Sequence, residues 1–150
     1  MIPDHGGESA APEEDGRGLI EFLDTNTLVR YLTRDDAAMA GRAAALIDSD
    51  RRLRLSVLIL AEAGFVLRRV YGIAREAVID GLIHLLNRSN IETHEIDTDL
   101  AIQALRLCRP SGRVNFTDAL LWAVARASAP ARVWSFDERF PVNGIEVQRP

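Results

Sequence analysis

The sequence predicts an α/β fold: one domain with a mostly parallel central sheet of about five strands and helices on both faces. The first observation is that short apolar runs, typical of buried strands, alternate with longer segments of helical pattern, an order that favours parallel strands joined by helical crossovers. The second is composition, because 150 residues with 47% hydrophobic and 27% charged side chains are enough for one packed core. The predicted order is β-α-α-β-α-α-β-α-α-β-β.

The N-terminal segment differs in composition from the rest of the chain. Residues 1–18 contain Gly, Pro, Glu and Asp and almost no large apolar side chain, so they are predicted to form a flexible tail. The folded domain is predicted to span 19–150. The tail has no apolar segment typical of a secretory signal, and no stretch of the chain approaches the roughly 20 apolar residues of a membrane helix. These observations favour a cytoplasmic protein that does not contact a membrane.

The first half of the domain is predicted to contain two strands and four helices. The strands are expected over 19–23 and 52–55, and the helices over 27–32, 37–47, 57–71 and 75–87. Residues that can cap a helix precede the first three helices, namely Asp24, Thr25 or Asn26, then Asp35–Asp36, then Ser56. Gly72 is a typical stop for the third helix.

The second half is predicted to contain two helices and three strands. A strand over 91–96 is followed by a helix that Asp97 or Thr98 can cap and that ends near Cys108, because Pro, Ser and Gly break the pattern at 110–112. The last helix is expected to begin at Asn115 or Thr117 and to run through residue 127. The last two strands are expected over 132–136 and 145–148.

Four acidic residues each lie inside an apolar run, where a buried carboxylate is unfavourable unless it has a partner. They are Asp24 in LIEFLDTN, Glu62 in SVLILAEAGFVL, Asp118 in NFTDALLWAVA and Asp137 in VWSFDERF. Asp24 and Asp137 follow directly on predicted strands, and they would lie side by side if those strands were neighbours. Glu62 and Asp118 lie near the starts of predicted helices.

Each acid also has a simpler structural interpretation. Asp24 can be only an N-cap, Asp118 a first-turn acid, Asp137 a turn residue and Glu62 a solvent-facing residue of an amphipathic helix. Four carboxylates brought together in a chain without lysine would repel one another and raise one another's pKa values. Mg²⁺ or Mn²⁺ would remove this repulsion, because both ions prefer oxygen ligands, and two such ions would suit an in-line attack on a phosphodiester.

The basic residues exclude several kinds of site, because all 18 of them are arginine. P-loop NTPases, Schiff-base enzymes, and phosphotransfer domains of the response-regulator or haloacid-dehalogenase type all use a lysine. A net charge of −4 means that no global field attracts nucleic acid, so an RNA substrate would need arginines concentrated locally or metal ions. His84 and His94 form no recognisable catalytic triad, and Cys108 is expected to be a small buried apolar residue.

Four motifs together resemble the PIN domain, and especially the VapC-type ribonuclease toxins of bacterial toxin–antitoxin pairs. They are FLDTNTLVRYLTRDD at 22–36, SVLILAEAGFVL at 56–67, NFTDALLWAVA at 115–125 and WSFDERF at 134–140, and the resemblance covers about residues 19–148. The first motif is specific when the other three follow at these spacings. The resemblance implies a mostly parallel sheet with helices on both sides and metal-dependent endonucleolytic cleavage of RNA.

The resemblance also implies roles for individual residues. The four acids named above match the residues that hold Mg²⁺ or Mn²⁺, and Asn26 and Ser135 match positions that support the site. Asn115 stands where many relatives carry a further aspartate, which lowers the local negative charge and weakens the case for a second metal. Arginines that are expected to line an RNA path, if they do not simply face solvent on helices, are Arg30, Arg34, Arg68, Arg69, Arg109 and Arg113.

Partners follow from the same resemblance. It implies an RNA substrate, a small cognate antitoxin that wraps the toxin, and a homodimer. Apolar surface for either protein contact is expected on the helices around 39–47 and 59–67. The leading hypothesis is a Mg²⁺- or Mn²⁺-dependent endoribonuclease that is the toxin of a type II pair. Two alternatives stay open, a housekeeping RNA-processing PIN nuclease and a catalytically degenerate PIN domain that only binds RNA or protein.

Overall fold

The computed structural model describes residues 18–150, and these contain five strands and six helices in the predicted order. The predicted tail therefore lies outside the described residues, apart from Gly18. The strands are β1 (Glu21–Phe22), β2 (Leu53–Leu55), β3 (Ile91–Thr93), β4 (Arg132–Trp134) and β5 (Glu146–Gln148). The helices are α1 (Thr25–Thr33), α2 (Ala37–Ile47), α3 (Val57–Arg69), α4 (Arg75–Leu86), α5 (Thr98–Leu107) and α6 (Phe116–Ala127).

The five strands form two parallel sheets instead of one. A three-stranded sheet has the order β1-β2-β3, and β4 pairs with β5 in a separate two-stranded sheet. The prediction of parallel strands is confirmed, but the prediction of one sheet of about five strands is wrong. The strands have only two or three residues each, so local pattern did not reveal which of them pair.

The helix starts follow the capping residues that the sequence offers. Asp24 accepts a hydrogen bond from the Thr27 backbone N–H at 2.8 Å, Asp36 caps α2 in the same way, and Ser56 caps α3. Such bonds satisfy backbone donors that have no partner in the first turn. The longest described helix, α3, has 13 residues. No helix within 18–150 is long and apolar enough to cross a membrane.

One row of side chains on the three-stranded sheet remains partly exposed. Phe22, Arg54 and Glu92 are register neighbours across β1, β2 and β3, and Arg54 forms an ion pair with Glu92 at 3.1 Å. Phe22 also contacts the ring of His94 edge to face, with centroids 4.8 Å apart. The prediction that helices cover both faces of the sheet does not hold at this row.

The opposite set of strand residues lies in the core. Leu53, Leu55 and Ile91 are buried and pack with the inner sides of α1, α3, α4 and α5. Burial of this apolar surface is the main stabilising contribution to the fold. Cys108 is fully buried in the same core, as the sequence predicted, and burial raises the pKa of its thiol to about 11.

Candidate metal centre

Asp24 lies at the carboxyl end of β1, where the chain turns into α1. Its Oδ1 atom caps the helix by accepting from the Thr27 backbone N–H, and this bond lowers the pKa of the carboxyl. The side chain is exposed, and within the described residues its Oδ2 atom accepts no hydrogen bond. The capping role is therefore confirmed, and it leaves one carboxylate oxygen of Asp24 available for a cation.

Glu62, on α3, lies beside the start of α1. The hydroxyl of Thr25, the residue after Asp24, donates a hydrogen bond of 2.6 Å to Glu62 Oε2. Helix α3 packs against α1, so this bond joins two elements that are 37 positions apart in the sequence. Glu62 is the sixth residue of α3 and not in its first turn, and its exposed carboxylate faces the start of α1.

Asp118 occupies the first turn of α6, as the sequence predicted. Asn115 is the N-cap of this helix, and its Oδ1 accepts from the Asp118 backbone N–H at 2.7 Å. The Asp118 side chain is half-buried. Burial raises the pKa of this carboxyl, and the negative charge of Asp137 raises it further. Asp118 and Asp137 are thus close enough to repel each other.

Asp137 lies in the turn after β4 and is held by its neighbours in the chain. The Ser135 hydroxyl accepts from the Asp137 backbone N–H at 3.0 Å. The Arg139 side chain and backbone donate to Asp137 Oδ1 at 3.1 and 2.9 Å, and these bonds lower the pKa of Asp137. Because β4 pairs with β5 and not with β1, the condition under which Asp24 and Asp137 would lie side by side at neighbouring strand ends is not met, and the acid whose charge acts on Asp118 is Asp137.

Two contacts link the four acids in pairs. One group is Asp24 and Glu62, joined through the bond from Thr25 to Glu62, and the other is Asp118 and Asp137, whose charges interact. Helix α3, which carries Glu62, packs against both α1 and α6. Within 18–150, no three His, Cys, Asp or Glu side chains converge at one point with the spacing of metal ligands.

The chemistry of these donors fits a hard divalent cation. The donors of both groups are carboxylate oxygens, which Mg²⁺ and Mn²⁺ prefer to nitrogen or sulfur. The repulsion between Asp118 and Asp137 is balanced in part by Arg139, whose own pKa is raised first by its hydrogen bond to Asp137 and also by the charge of Asp118. A cation between the two carboxylates would balance that repulsion further.

A comparison with known families identifies the fold. The sequence model of the PIN domain family matches residues 22–145, a range that includes all four acids. The chain belongs to the PIN domain family. PIN domains are generally metal-dependent nucleases, so the family membership supports a hydrolase that acts on nucleic acid. No curated protein sequence matches the chain.

Three residues near the acids of this PIN domain were not predicted as site residues. Thr25 orients Glu62, and Arg139 binds Asp137. Glu95, just after β3, accepts from the Ser56 hydroxyl at 2.5 Å and from the Val57 backbone N–H at 3.0 Å. Burial raises the pKa of Glu95, but these two bonds outweigh it and the net shift is downward. The sequence analysis placed Glu95 inside a strand over 91–96, whereas β3 ends at Thr93, so its position just after a strand was not evident.

The three supporting residues have different surroundings in the structure. Asn115 caps α6 and Ser135 accepts from the backbone of Asp137, so both hold segments that carry an acid. Asn26 is exposed and lines a cavity of about 280 Å³ between α1 and α2, together with Arg30 and Arg42. Among the described residues, the Asn26 side chain forms no hydrogen bond to a carboxylate.

The arginines predicted for RNA binding also divide into groups. Arg30 forms an ion pair with Asp35 at 2.5 Å, and Arg109 forms a two-pronged pair with Asp80 at 2.8 Å. Arg34 ends α1 in a left-handed conformation and lies over the ring of Tyr31, and Arg113 is exposed in the loop before α6. Two others line a cavity beside the start of α6, namely Arg68 and Arg69.

Proposed function

We propose that this PIN domain is a Mg²⁺- or Mn²⁺-dependent endoribonuclease, and that it is the toxin of a type II toxin–antitoxin pair. The observation that carries the nuclease proposal is the proximity of two like charges, Asp118 in the first turn of α6 and Asp137 in the turn after β4, with Arg139 bonded to Asp137. Such an arrangement is unfavourable by itself and is stabilised by a bound cation. Family membership supports the same chemistry.

In this proposal, the four acids are the ligands of the divalent cation. Asp24 and Glu62 form one set of cation ligands, with Thr25 fixing the orientation of Glu62. Asp118 and Asp137 form the other set. When bound, the divalent ion supplies charge stabilisation at the phosphate and lowers the pKa of a water molecule. Because Asp24 keeps its helix-capping bond through Oδ1, it can bind a cation through Oδ2 without loss of the cap.

Supporting residues keep the ligands in place. Asn115 fixes the first turn of α6, so the Asp118 side chain projects from a defined backbone. Ser135 and Arg139 fix the turn that carries Asp137. A site held by such short-range bonds needs little rearrangement when the cation and the phosphate arrive, which favours catalysis.

Substitution of one carboxylate tests the nuclease proposal. Asp118→Asn removes a charged ligand with almost no change in volume, and it is expected to lower the rate of RNA cleavage roughly 100-fold or more, because metal ligation contributes several kcal/mol to the barrier. The measurement is cleavage of a structured RNA with Mn²⁺ or Mg²⁺, and again with a chelator. Asp24→Asn is expected to act in the same direction.

Asp99→Asn is the control, because Asp99 is also a first-turn acid but is exposed and belongs to α5. It is expected to keep the wild-type rate. Equal cleavage by wild type, Asp118→Asn and Asp24→Asn would contradict the nuclease proposal. The same holds for cleavage that a chelator leaves unchanged.

The toxin role, the antitoxin and the homodimer need their own support. Ala40, Ala43 and Ile47 of α2 and Leu60, Ala63 and Leu67 of α3 are buried in the core. Leu58 is 73% exposed and Met39 is 40% exposed, and both are apolar side chains that a partner would cover. Expression of the chain is expected to arrest growth, and co-expression of a small protein encoded next to it is expected to restore growth. Normal growth with active enzyme in the cells would instead favour a housekeeping RNA-processing nuclease.

A further inference from the structure

A cavity of about 290 Å³ lies between α3 and the start of α6, next to the candidate metal centre. Three arginines from two helices line it, Arg68 and Arg69 at the end of α3 and Arg75 at the start of α4. The opposite wall is formed by Asn115 and its neighbours in the first turn of α6. The volume is that of a site for one small group, such as a single nucleotide.

The three arginines carry positive charge that the described part of the chain does not neutralise. Within 18–150, none of them forms an ion pair with a carboxylate. Arg68 donates to the backbone carbonyl of Ile73 and Arg75 to that of Cys108, both at 3.4 Å, so each guanidinium keeps donors for a ligand. Three unneutralised guanidinium groups around one cavity favour an anion, and a phosphate accepts such donors well.

An aromatic side chain lies at the same cavity. Phe65 of α3 lines it and is 61% exposed. An exposed phenyl ring beside cationic groups is the combination that binds single-stranded nucleic acid, since the ring stacks on a base while the cations contact the backbone. A purely structural role does not explain this ring, because its neighbours Gly64 and Leu67 already face the core.

The cavity is continuous with the segment that holds Asp118. Asn115 both lines the cavity and caps the turn that carries Asp118, and Phe116 packs on α3 at Gly64. An anion in the cavity would therefore lie within a helical turn of a cation ligand. A cation held by the carboxylates and the arginines of the cavity would then contact successive phosphates of one RNA strand.

We propose that this cavity is a subsite for one nucleotide of single-stranded RNA that flanks the cleaved bond. The phosphate of that nucleotide binds Arg68, Arg69 and Arg75, and its base stacks on Phe65. The inference rests on the proposed endoribonuclease function and extends it to two residues, Phe65 and Arg75, that the sequence motifs did not single out.

Binding of RNA is measured separately from cleavage. The full chain with Asp118→Asn is titrated into a short fluorescein-labelled single-stranded RNA of mixed sequence, and anisotropy is followed at several salt concentrations in Mg²⁺. Phe65→Leu is expected to weaken binding about tenfold, since stacking is lost but the apolar side chain is kept. Phe65→Trp is expected to retain the wild-type affinity.

The arginine variants have a distinct signature. Arg69→Gln, Arg75→Gln and Arg68→Gln are each expected to weaken binding and to reduce the slope of log K against log salt by about 0.7, the value for one phosphate contact to a single strand. Arg52→Gln is the matched control, because Arg52 is exposed at the amino ends of the strands, away from the cavity. Its affinity and salt slope are expected to be unchanged. A melting curve for each variant confirms that it is folded.

The outcomes separate this inference from the proposed function. If wild type cleaves RNA but the cavity variants bind it as tightly as the parent, the subsite is wrong and the nuclease proposal stands. If the cavity variants lose affinity but no protein cleaves RNA, the cavity binds a nucleotide of single-stranded RNA as proposed, whereas the nuclease proposal and the placement of that nucleotide beside a cleaved bond are wrong. Equal losses in the cavity variants and in Arg52→Gln would also overturn the subsite, since they would show binding by net charge alone.

Discussion

Single carboxylates in this protein differ in how many donors they have within the chain. Within the described residues, Asp35 accepts from three different residues, Arg30 at 2.5 Å, the Tyr71 hydroxyl at 2.7 Å and the Thr33 hydroxyl at 3.0 Å. In the same part of the chain, Glu62 has one side-chain donor, Thr25. A carboxylate with several donors is committed to structure, whereas one with few donors is available for a ligand. This reasoning separates Asp35 from Asp24 and Glu62, whereas Asp137 is held by the backbone and side chain of Arg139.

Asp35 makes stability depend on pH in a defined window. Its pKa falls from 3.8 to about 2, first because Arg30 and then because Tyr71 donates to it. A lowered pKa means that the contribution is fully present above about pH 4 and is lost as pH falls toward 2. Asp35→Asn is expected to lower the melting temperature at pH 7, and the difference from wild type is expected to shrink between pH 4 and pH 2.

Thermal melts of wild type and Asp35→Asn across that range provide the measurement. Asp50→Asn is the control, because Asp50 is exposed and has no ion pair within the described residues, and its melting temperature is expected to stay near wild type. A difference between wild type and Asp35→Asn that stayed constant down to pH 2 would show that the carboxylate charge is not what stabilises the contact.

At the scale of elements, the contact between α3 and α6 positions one half of the candidate site. Gly64 of α3 lies against the ring of Phe116, the first residue of α6, and a Cβ at Gly64 would approach the ring to 2.8 Å. Asp118 is two residues further along α6, so this contact fixes how closely Glu62 and Asp118 approach. The absence of a side chain at Gly64 is therefore a requirement of packing and not of backbone conformation.

Gly64→Ala is expected to destabilise the protein. An alanine within a helix normally stabilises by up to about 1 kcal/mol relative to glycine, but forcing a methyl group into a packed contact costs about 1–3 kcal/mol. The free energy of unfolding in urea is expected to fall, and RNA cleavage is expected to fall with it as Phe116 and the first turn of α6 shift.

Gly41→Ala serves as the matched control for the helix propensity term. Gly41 lies within α2, and a Cβ at that position meets no atom within 4 Å. It is expected to leave stability unchanged or to raise it by less than about 1 kcal/mol. If both substitutions raised the free energy of unfolding equally, the contact between Gly64 and Phe116 would be looser than a Cβ distance of 2.8 Å indicates.

At the scale of the whole molecule, the two ends of the three-stranded sheet have different roles. Asp24, Ser56 and Glu95 lie at the carboxyl ends of β1, β2 and β3, where helices begin and ligands can bind. The amino ends are closed by a structural contact instead. The Asn90 side-chain amide donates to the backbone carbonyls of Ile47, Ser49 and Arg51 at 3.0, 3.1 and 3.1 Å.

Asn90→Ala is expected to separate stability from activity. It leaves three backbone carbonyls without this donor, which lowers the free energy of unfolding by about 1–3 kcal/mol. Cleavage per folded molecule is expected to stay at the wild-type level, because Asn90 lies at the end of the sheet opposite the acids. Urea unfolding and RNA cleavage at 20 °C check the two expectations. A loss of activity larger than the loss of folded protein would contradict the division between the two ends.

The sequence by itself determined the order of the elements, most helix boundaries and the identity of the four acids. These features depend on short-range physics: apolar periodicity decides helix or strand, and Asp24, Ser56 and Asn115 cap the backbone that directly follows them. The PIN motifs could be recognised for the same reason, since each is a local pattern around one acid. The family match over 22–145 confirms that part of the interpretation.

Only the tertiary structure decided which elements meet. Strands of two or three residues carry too little pattern to specify their partners, so the division into β1-β2-β3 and β4-β5 was not readable from the sequence, which left open whether the strand before Asp137 lies next to the strand before Asp24. Thr25 and Phe65 lie inside the quoted motifs, but what they meet, Glu62 for Thr25 and the cavity wall for Phe65, comes from distant segments. Arg139 lies two residues after Asp137 in the fourth motif, and its bond to that carboxylate depends on the shape of the turn. Local sequence specifies local backbone, whereas the partners of a side chain depend on packing between distant segments.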